Sequence, residues 1–241
     1  MYLNIAAYHF APLKNLPEMR VKLLAQAKEL GLKGTILLTP EGINCFITGS
    51  KDAIAALLKT IRSYPELSEF KTKESWADTQ PFNRMLVKIK KETISFGIPN
   101  ATPLKTEAAR ITPKELKDWY DKNKDFVLLD TRNNFEIEVG AFKNTEHLNM
   151  KSFKDFIKAA RNKLPEWKDK TIVSVCTGGI RCEKAAPFMN LLGYKNVYQL
   201  EGGILKYFEE CGSEHYDGDC FVFDKRVALD PELKPSGHGM C

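Results

Sequence analysis

The sequence predicts two domains: an N-terminal ferredoxin-like α+β domain, then an α/β domain with a parallel sheet. Three observations carry this. The 241 residues exceed what one typical small domain needs. Elements in the first hundred residues follow the order βαββαβ, the split-βαβ pattern. The remainder sets short apolar runs between helical stretches, as buried parallel strands are set.

In the first domain, Leu3–Phe10 reads as a strand. The next stretch, "LPEMRVKLLAQAKELG", puts Met19, Leu23, Ala27 and Leu30 on one helical face, with Gly31 as its stop. Gly34–Thr39 and Ile43–Gly49 are strands joined by the turn "PEG". Ser50 caps a helix whose apolar face is Ile54, Leu57, Leu58 and Ile61. The alternation of Met85–Ile94 predicts the fourth strand. The first domain is therefore expected over 1–95, with a Pro-containing linker over 96–109.

The second domain is expected over 110–210. Thr112, Pro113 and Glu115 spell a helix start with a capping box. Phe126–Asp130 and Thr171–Cys176 are apolar runs that read as buried strands. A helix with Phe153, Phe156, Ile157, Ala160 and Leu164 inward lies between them. Another helix runs to Leu192 and stops at Gly193, and Asn196–Gly203 reads as strand and turn. Residues 211–241 are expected to form an irregular tail that holds three of the six cysteines. Reactive groups of a parallel sheet belong at strand carboxyl ends, where Asp130 and Cys176 fall.

Composition narrows the function. Hydrophobic residues make up 43% and charged residues 28%, enough for a real core. No apolar run reaches the ~18 residues of a membrane span. The N-terminus has no secretory pattern, so a cytoplasmic protein without a membrane partner is expected. Cys45, Cys176, Cys182, Cys211, Cys220 and Cys241 are scattered and read as thiols. Net charge is +5, and the surplus lies wholly in residues 1–100, with 14 Lys and Arg against 9 Asp and Glu. That suits an acidic partner such as RNA. Lys88, Lys90 and Lys91 are the candidate phosphate contacts, although lysines also guard edge strands. Tyr8, Trp76 and Phe82 are candidate stacking residues, with core packing as the commoner use.

The chemistry centres on "CTGGIR", Cys176–Arg181. Thr177, Gly178, Gly179 and Ile180 form a loop whose glycines let several N–H groups turn inward. A following helix adds its positive end, and Arg181 adds a permanent charge. All three features favour a thiolate at Cys176. The Cys-x4-Arg spacing is one residue shorter than the phosphate-wrapping loop of cysteine phosphatases, which argues against phosphate chemistry. Cys182 reads as a resolving thiol, a second nucleophile or a packed helix cysteine. Cys211, His215, Cys220, His238 and Cys241 have no zinc-site spacing, so no metal is expected. His9 and His147 have no visible partner in the sequence. No P-loop or dinucleotide fingerprint appears, and no cofactor is evident.

"VLLDTRNNFE", "CTGGIR" and "VYQLEGGI" resemble, in order, the three signatures of a rhodanese domain over roughly residues 110–210. That resemblance implies a nucleophilic or persulfide-carrying Cys176, with Asp130, Arg132 and Glu136 in support. "VGAFKNTEHL" departs from the family's usual "GHIPGA" and lacks its histidine. "PEGIN", "MLVKIKKETISFG", "CTGGIRCEKA" and "GDCFVFDKRVALD" extend the resemblance to the TrhO family over about residues 1–230. These are rhodanese-containing enzymes that hydroxylate the wobble uridine of bacterial tRNA with molecular oxygen. Members commonly continue with more cysteine-containing tail. The resemblance implies an acylphosphatase-like first domain, tRNA rather than DNA as partner, oxygen as co-substrate, and Cys176, Arg181 and Cys182 as the catalytic group. A sulfurtransferase is the alternative activity, and a non-catalytic adaptor would have no need of Cys176 or Arg181.

Overall fold

The computed structural model describes residues 1–239, so Cys241 lies outside the described residues. The chain forms two compact units, Met1–Ser95 and the residues from Phe96 onward.

The first unit contains β1 (Tyr2–Phe10), α1 (Leu16–Glu29), β2 (Lys33–Thr39), β3 (Gly42–Gly49), α2 (Lys51–Arg62), β4 (Lys73–Ala77) and β5 (Met85–Ile89). They make one sheet in the order β4-β1-β3-β2-β5. β1 is antiparallel to β3 and β4, and β5 is parallel to β2. The split-βαβ sheet is therefore completed by β4, whereas the sequence pattern assigned that place to Met85–Ile94. "KESWA" shows no apolar alternation because it is an edge strand with only its last residue, Ala77, buried. β5 adds to the opposite edge and stops at Ile89. Met19, Leu23 and Ala27 of α1 and Ile54, Leu57, Leu58 and Ile61 of α2 share a core with Ile5, Ile36, Ile43 and Ile47. Each of the Leu, Ile and Met side chains contributes about 1.5–3 kcal/mol by burial. Ser50 Oγ accepts the Ala53 N–H at 3.2 Å, and Gly31 takes φ 66 at the stop of α1, as their positions predict.

In the second unit, β6 (Ala109–Ile111), α3 (Pro113–Asp121), β7 (Val127–Asp130), α4 (Asn134–Ile137), β8 (Gly140–Phe142), β9 (Thr145–His147) and α5 (Phe156–Trp167) come first. They are followed by β10 (Thr171–Val175), α6 (Cys182–Leu192), β11 (Asn196–Leu200), α7 (Gly203–Cys211), β12 (Tyr216–Gly218), β13 (Cys220–Phe221) and β14 (Ala228–Leu229). The main sheet runs β6-β11-β10-β7-β9, and every pairing in it is parallel. Thr112 and Glu115 close the expected capping box, at 2.9 and 3.2 Å.

Two segments are more ordered than their composition suggests. The expected linker begins with Phe96, which is 1% exposed and stacks on Phe153 at 4.9 Å. The expected irregular tail instead carries β12, paired with β8, and the hairpin β13–β14. A helix, α7, also follows the turn at Glu201–Gly202, where the sequence signalled only strand and turn.

Candidate active site

Cys176 follows β10 directly and Asp130 ends the adjacent β7, so both sit at carboxyl ends of central strands. The loop curls as the glycines allow. Gly179 takes φ 94, and its N–H donates to Cys176 Sγ at 3.1 Å. Cys182 is the first residue of α6, so its N–H has no acceptor within the helix. The backbone N–H groups of Arg181 and Cys182 also reach the Cys176 sulfur, and so does the Cys182 thiol.

The electrostatics follow. Burial alone would raise the Cys176 pKa. The Cys182 thiol, the Arg181 charge and the loop N–H groups outweigh it and bring the pKa from 9.0 down to about 6. Cys182 moves the opposite way, pushed well up by burial and by the neighbouring Cys176 charge. The electrostatics thus favour a thiolate at Cys176 beside a thiol at Cys182. Thr131 Oγ1 lies 3.8 Å from the Cys182 sulfur and donates its own hydrogen to Val175 O at 2.8 Å.

The loop is braced from three sides. Arg181 Nη2 donates to Glu136 Oε2 at 2.9 Å, both groups nearly buried. Arg181 Nη1 has no hydrogen-bond partner among the described residues, leaving a charged donor uncommitted. Asp130 and Arg132, both 0% exposed, form a fork at 2.7–3.0 Å, and Arg132 Nη2 also donates to Gly140 O at 2.8 Å. The N-terminus of α7 binds the loop carbonyls, with Ile204 N–H to Cys176 O at 3.0 Å and Leu205 N–H to Thr177 O at 3.1 Å. A Cβ on Gly203 would stand 2.3 Å from Cys176 O, which is why that position is glycine.

The thiolate should be visible directly. In a pH titration of ultraviolet thiolate absorbance, wild type minus Cys176→Ser, the signal is expected to be present above pH about 6 and lost below it. Arg181→Ala should move that midpoint upward, because burial then acts with less opposition. A wild-type midpoint near 9.0 would contradict the geometry.

Other sequence candidates lie elsewhere. Lys88, Lys90 and Lys91 are exposed at and just beyond the end of edge strand β5. Trp76 is 45% exposed on edge strand β4, not a core residue. Tyr8 and Phe82 are half-buried. His147 is exposed at the end of β9, and His9 is half-buried, its pKa lowered by burial. The one group of three potential metal ligands among the described residues is Asp121, Glu214 and His215, where Lys117 pairs with both carboxylates at 2.6 and 2.9 Å. Cys211 and Cys220 are free thiols outside it, and His238 meets Asp219 at 3.1 Å.

Residues 2–93 match the family described as UPF0176 acylphosphatase like domain, and residues 112–210 match the rhodanese-like domain. A protein of Cupriavidus pinatubonensis named tRNA uridine(34) hydroxylase is 46% identical over 99% of this chain and 86% of its own length. Proteins of the same name from Ralstonia nicotianae and Burkholderia cenocepacia are each 47% identical over 99% of this chain, with 86% and 87% of their lengths covered. The chain belongs to the tRNA uridine(34) hydroxylase family.

Membership leaves some neighbours of the family's cysteine loop to be found in the structure alone. Thr177 Oγ1 donates to Phe221 O at 3.3 Å, which ties the loop to the β13–β14 hairpin. Glu183, the second residue of α6, is buried with Arg110 at 3.0 Å and Gln199 at 3.2 Å. A lone Glu, Arg or Gln carries no sequence signal for such a network.

Proposed function

We propose that this protein hydroxylates carbon 5 of a tRNA wobble uridine with molecular oxygen, using Cys176 as nucleophile and Cys182 as its redox partner. The observation that carries the reading is the placement of Cys176 at the end of β10, its sulfur accepting the Gly179 N–H at 3.1 Å, with Cys182 opening the helix that follows the loop.

Carbon 5 of uracil is too electron-poor to take up oxygen unaided. The Cys176 thiolate adds to carbon 6, forming a C–S bond and moving an electron pair onto carbon 5 and the 4-oxygen. Arg181, with its uncommitted Nη1, supplies positive charge for that oxygen. Bond formation removes the negative charge of Cys176, which is one of the causes that raise the Cys182 pKa. Cys182 then ionises more readily, because that part of the opposition to its charge is gone. Carbon 5 takes up oxygen, and the Cys182 thiolate cuts the O–O bond, becoming a sulfenic acid and leaving a hydroxyl on carbon 5. Loss of the carbon-5 proton expels Cys176, which condenses with the sulfenic acid to a disulfide and water. Uridine, oxygen and two thiols thus give 5-hydroxyuridine, water and one disulfide, and an external low-molecular-weight thiol restores the pair.

A tRNA substrate puts the enzyme in the cytoplasm. Exposed Lys88, Lys90 and Lys91 supply phosphate contacts from the basic first unit. No helix among the described residues is long and apolar enough to cross a membrane.

Single turnover without external reductant tests the scheme. Pre-reduced enzyme and unmodified tRNA transcript in oxygenated buffer should yield one Cys176–Cys182 disulfide per 5-hydroxyuridine, counted by peptide and nucleoside mass spectrometry. Cys182→Ser should accumulate RNA linked covalently to Cys176, seen on a denaturing gel. Full turnover by Cys182→Ser with no adduct would refute the redox role, and tRNA left unhydroxylated by wild type would refute the activity.

A further inference from the structure

Three phenylalanines stand beside the cysteine loop, and burial explains none of them well. Phe135 is 46% exposed and Phe223 is 55% exposed, with Phe221 half-buried between them. The Phe135 and Phe221 rings are near-perpendicular at 5.2 Å, and the Phe221 and Phe223 rings at 5.1 Å. The Arg181 guanidinium lies 5.5 Å from the centre of the Phe223 ring. The cluster is therefore built onto the site: Phe135 precedes Glu136, the partner of Arg181, and Phe221 O accepts from Thr177 of the loop.

The turn that presents Phe223 is held by several bonds. Asp224 and Arg226 form a fork at 2.6–2.8 Å, and Val222 N–H donates to Val227 O at 2.8 Å. Val227 is held at φ 64, a strained conformation for a β-branched residue. Such strain persists only where surrounding structure fixes it, and it gathers at ligand clamps. The result is a fixed, half-solvated aromatic ring beside a buried cation, with Lys225 exposed on the same turn.

We propose that Phe223, backed by Phe221 and Phe135, is a stacking platform for a base of single-stranded RNA and positions the target uracil for Cys176. The proposal rests on the RNA reading above. A base taken out of an anticodon-loop stack loses its neighbours, and an aromatic face replaces them whatever the base. Exposed Lys225 matches the charge of a flanking phosphate. Phe223 would act as a positioning residue, since the bond-making falls to the sulfur.

The test uses the full chain, an unmodified tRNA transcript, and a fluorescent anticodon stem-loop RNA of the same sequence. Phe223→Ala is expected to raise KM for the transcript and Kd for the stem-loop by about tenfold to a hundredfold. The Cys176 titration midpoint and the Tm should stay near wild-type values, because Phe223 is 55% exposed. Phe223→Trp and Phe223→Tyr should keep wild-type KM, whereas Phe223→Leu should behave like the alanine variant. Unchanged KM and Kd in Phe223→Ala would overturn the platform. So would a leucine variant as good as wild type, which would mark the patch as a plain apolar contact. Stem-loop affinity reads Phe223 even if wild type leaves the transcript unhydroxylated, so failure of the activity is distinguished from failure of the platform.

Discussion

Cys176→Ser is expected to lower formation of 5-hydroxyuridine by about a thousandfold or more, the scale seen when a catalytic nucleophile is removed. The substitution is nearly isosteric, and Cys176 is only 1% exposed, so no large cavity opens. Gly179, Arg181 and Cys182 keep their N–H groups, and a serine oxygen accepts them as sulfur does. What changes is ionisation. The loop brings a thiol from 9.0 to about 6, but the same fields leave an alcohol protonated at neutral pH. The variant is therefore expected to fold as wild type does and to lack the nucleophile of the proposed scheme. Nucleoside mass spectrometry of treated transcript measures the rate, and calorimetry checks the Tm. Retention of more than about a tenth of the rate with an intact Tm would remove Cys176 from the covalent step. The same variant should titrate Cys182 nearer its uncoupled value, since the Cys176 charge that helps raise it is gone.

The parts of this site that were legible in the sequence are those made by neighbours in the chain. Cys176, the glycines and Arg181 lie within six residues, and the strand before and helix after are both strong patterns. Asp130 was legible as the acid closing an apolar run. Its partner Arg132 stands two residues on, but nothing in that spacing says both are 0% exposed. The Glu136–Arg181 bond joins residues 45 apart and was legible only through the family resemblance. Phe221 and Phe223 were seen only as part of the block "GDCFVFDKRVALD", with no role at the site. They lie in a two-residue strand and a strained turn, where no periodicity forms. Gly202 and Gly203 read as a turn, although at φ 70 and 67 they let α7 start against the loop. In the first unit, β4 escaped because an edge strand with polar residues facing water has no alternation to see. Long-range packing and edge geometry, not weak propensity, account for what was missed.

The second large effect lies under the loop. Asp130→Ala is expected to destabilise the second unit by about 3–5 kcal/mol, the usual consequence of stranding one member of a buried ion pair. Arg132 is 0% exposed. Burial works against its charge, and Asp130 overrides that and holds its pKa above the ordinary value. Asp130 also accepts the Arg132 backbone N–H at 2.9 Å, so alanine removes the turn's anchor as well. The remaining acceptors, Gly140 O at 2.8 Å, Glu136 O at 3.4 Å and Tyr216 Oη at 3.5 Å, carry no full charge. In calorimetry the loss should appear as a Tm fall of roughly 6–20 °C. Combining Asp130→Leu with Arg132→Met should recover much of it, because no unpaired charge then stays buried. That recovery separates two accounts of the pair. If the double variant is stable and its thiolate midpoint still lies near 6, the pair serves stability alone. If it is stable and the midpoint rises, Asp130 and Arg132 are positioning residues, fixing the end of β7 that carries Thr131 to the Cys182 sulfur. A wild-type Tm in Asp130→Ala alone would contradict both accounts, since no buried guanidinium of this kind goes unpaired without cost.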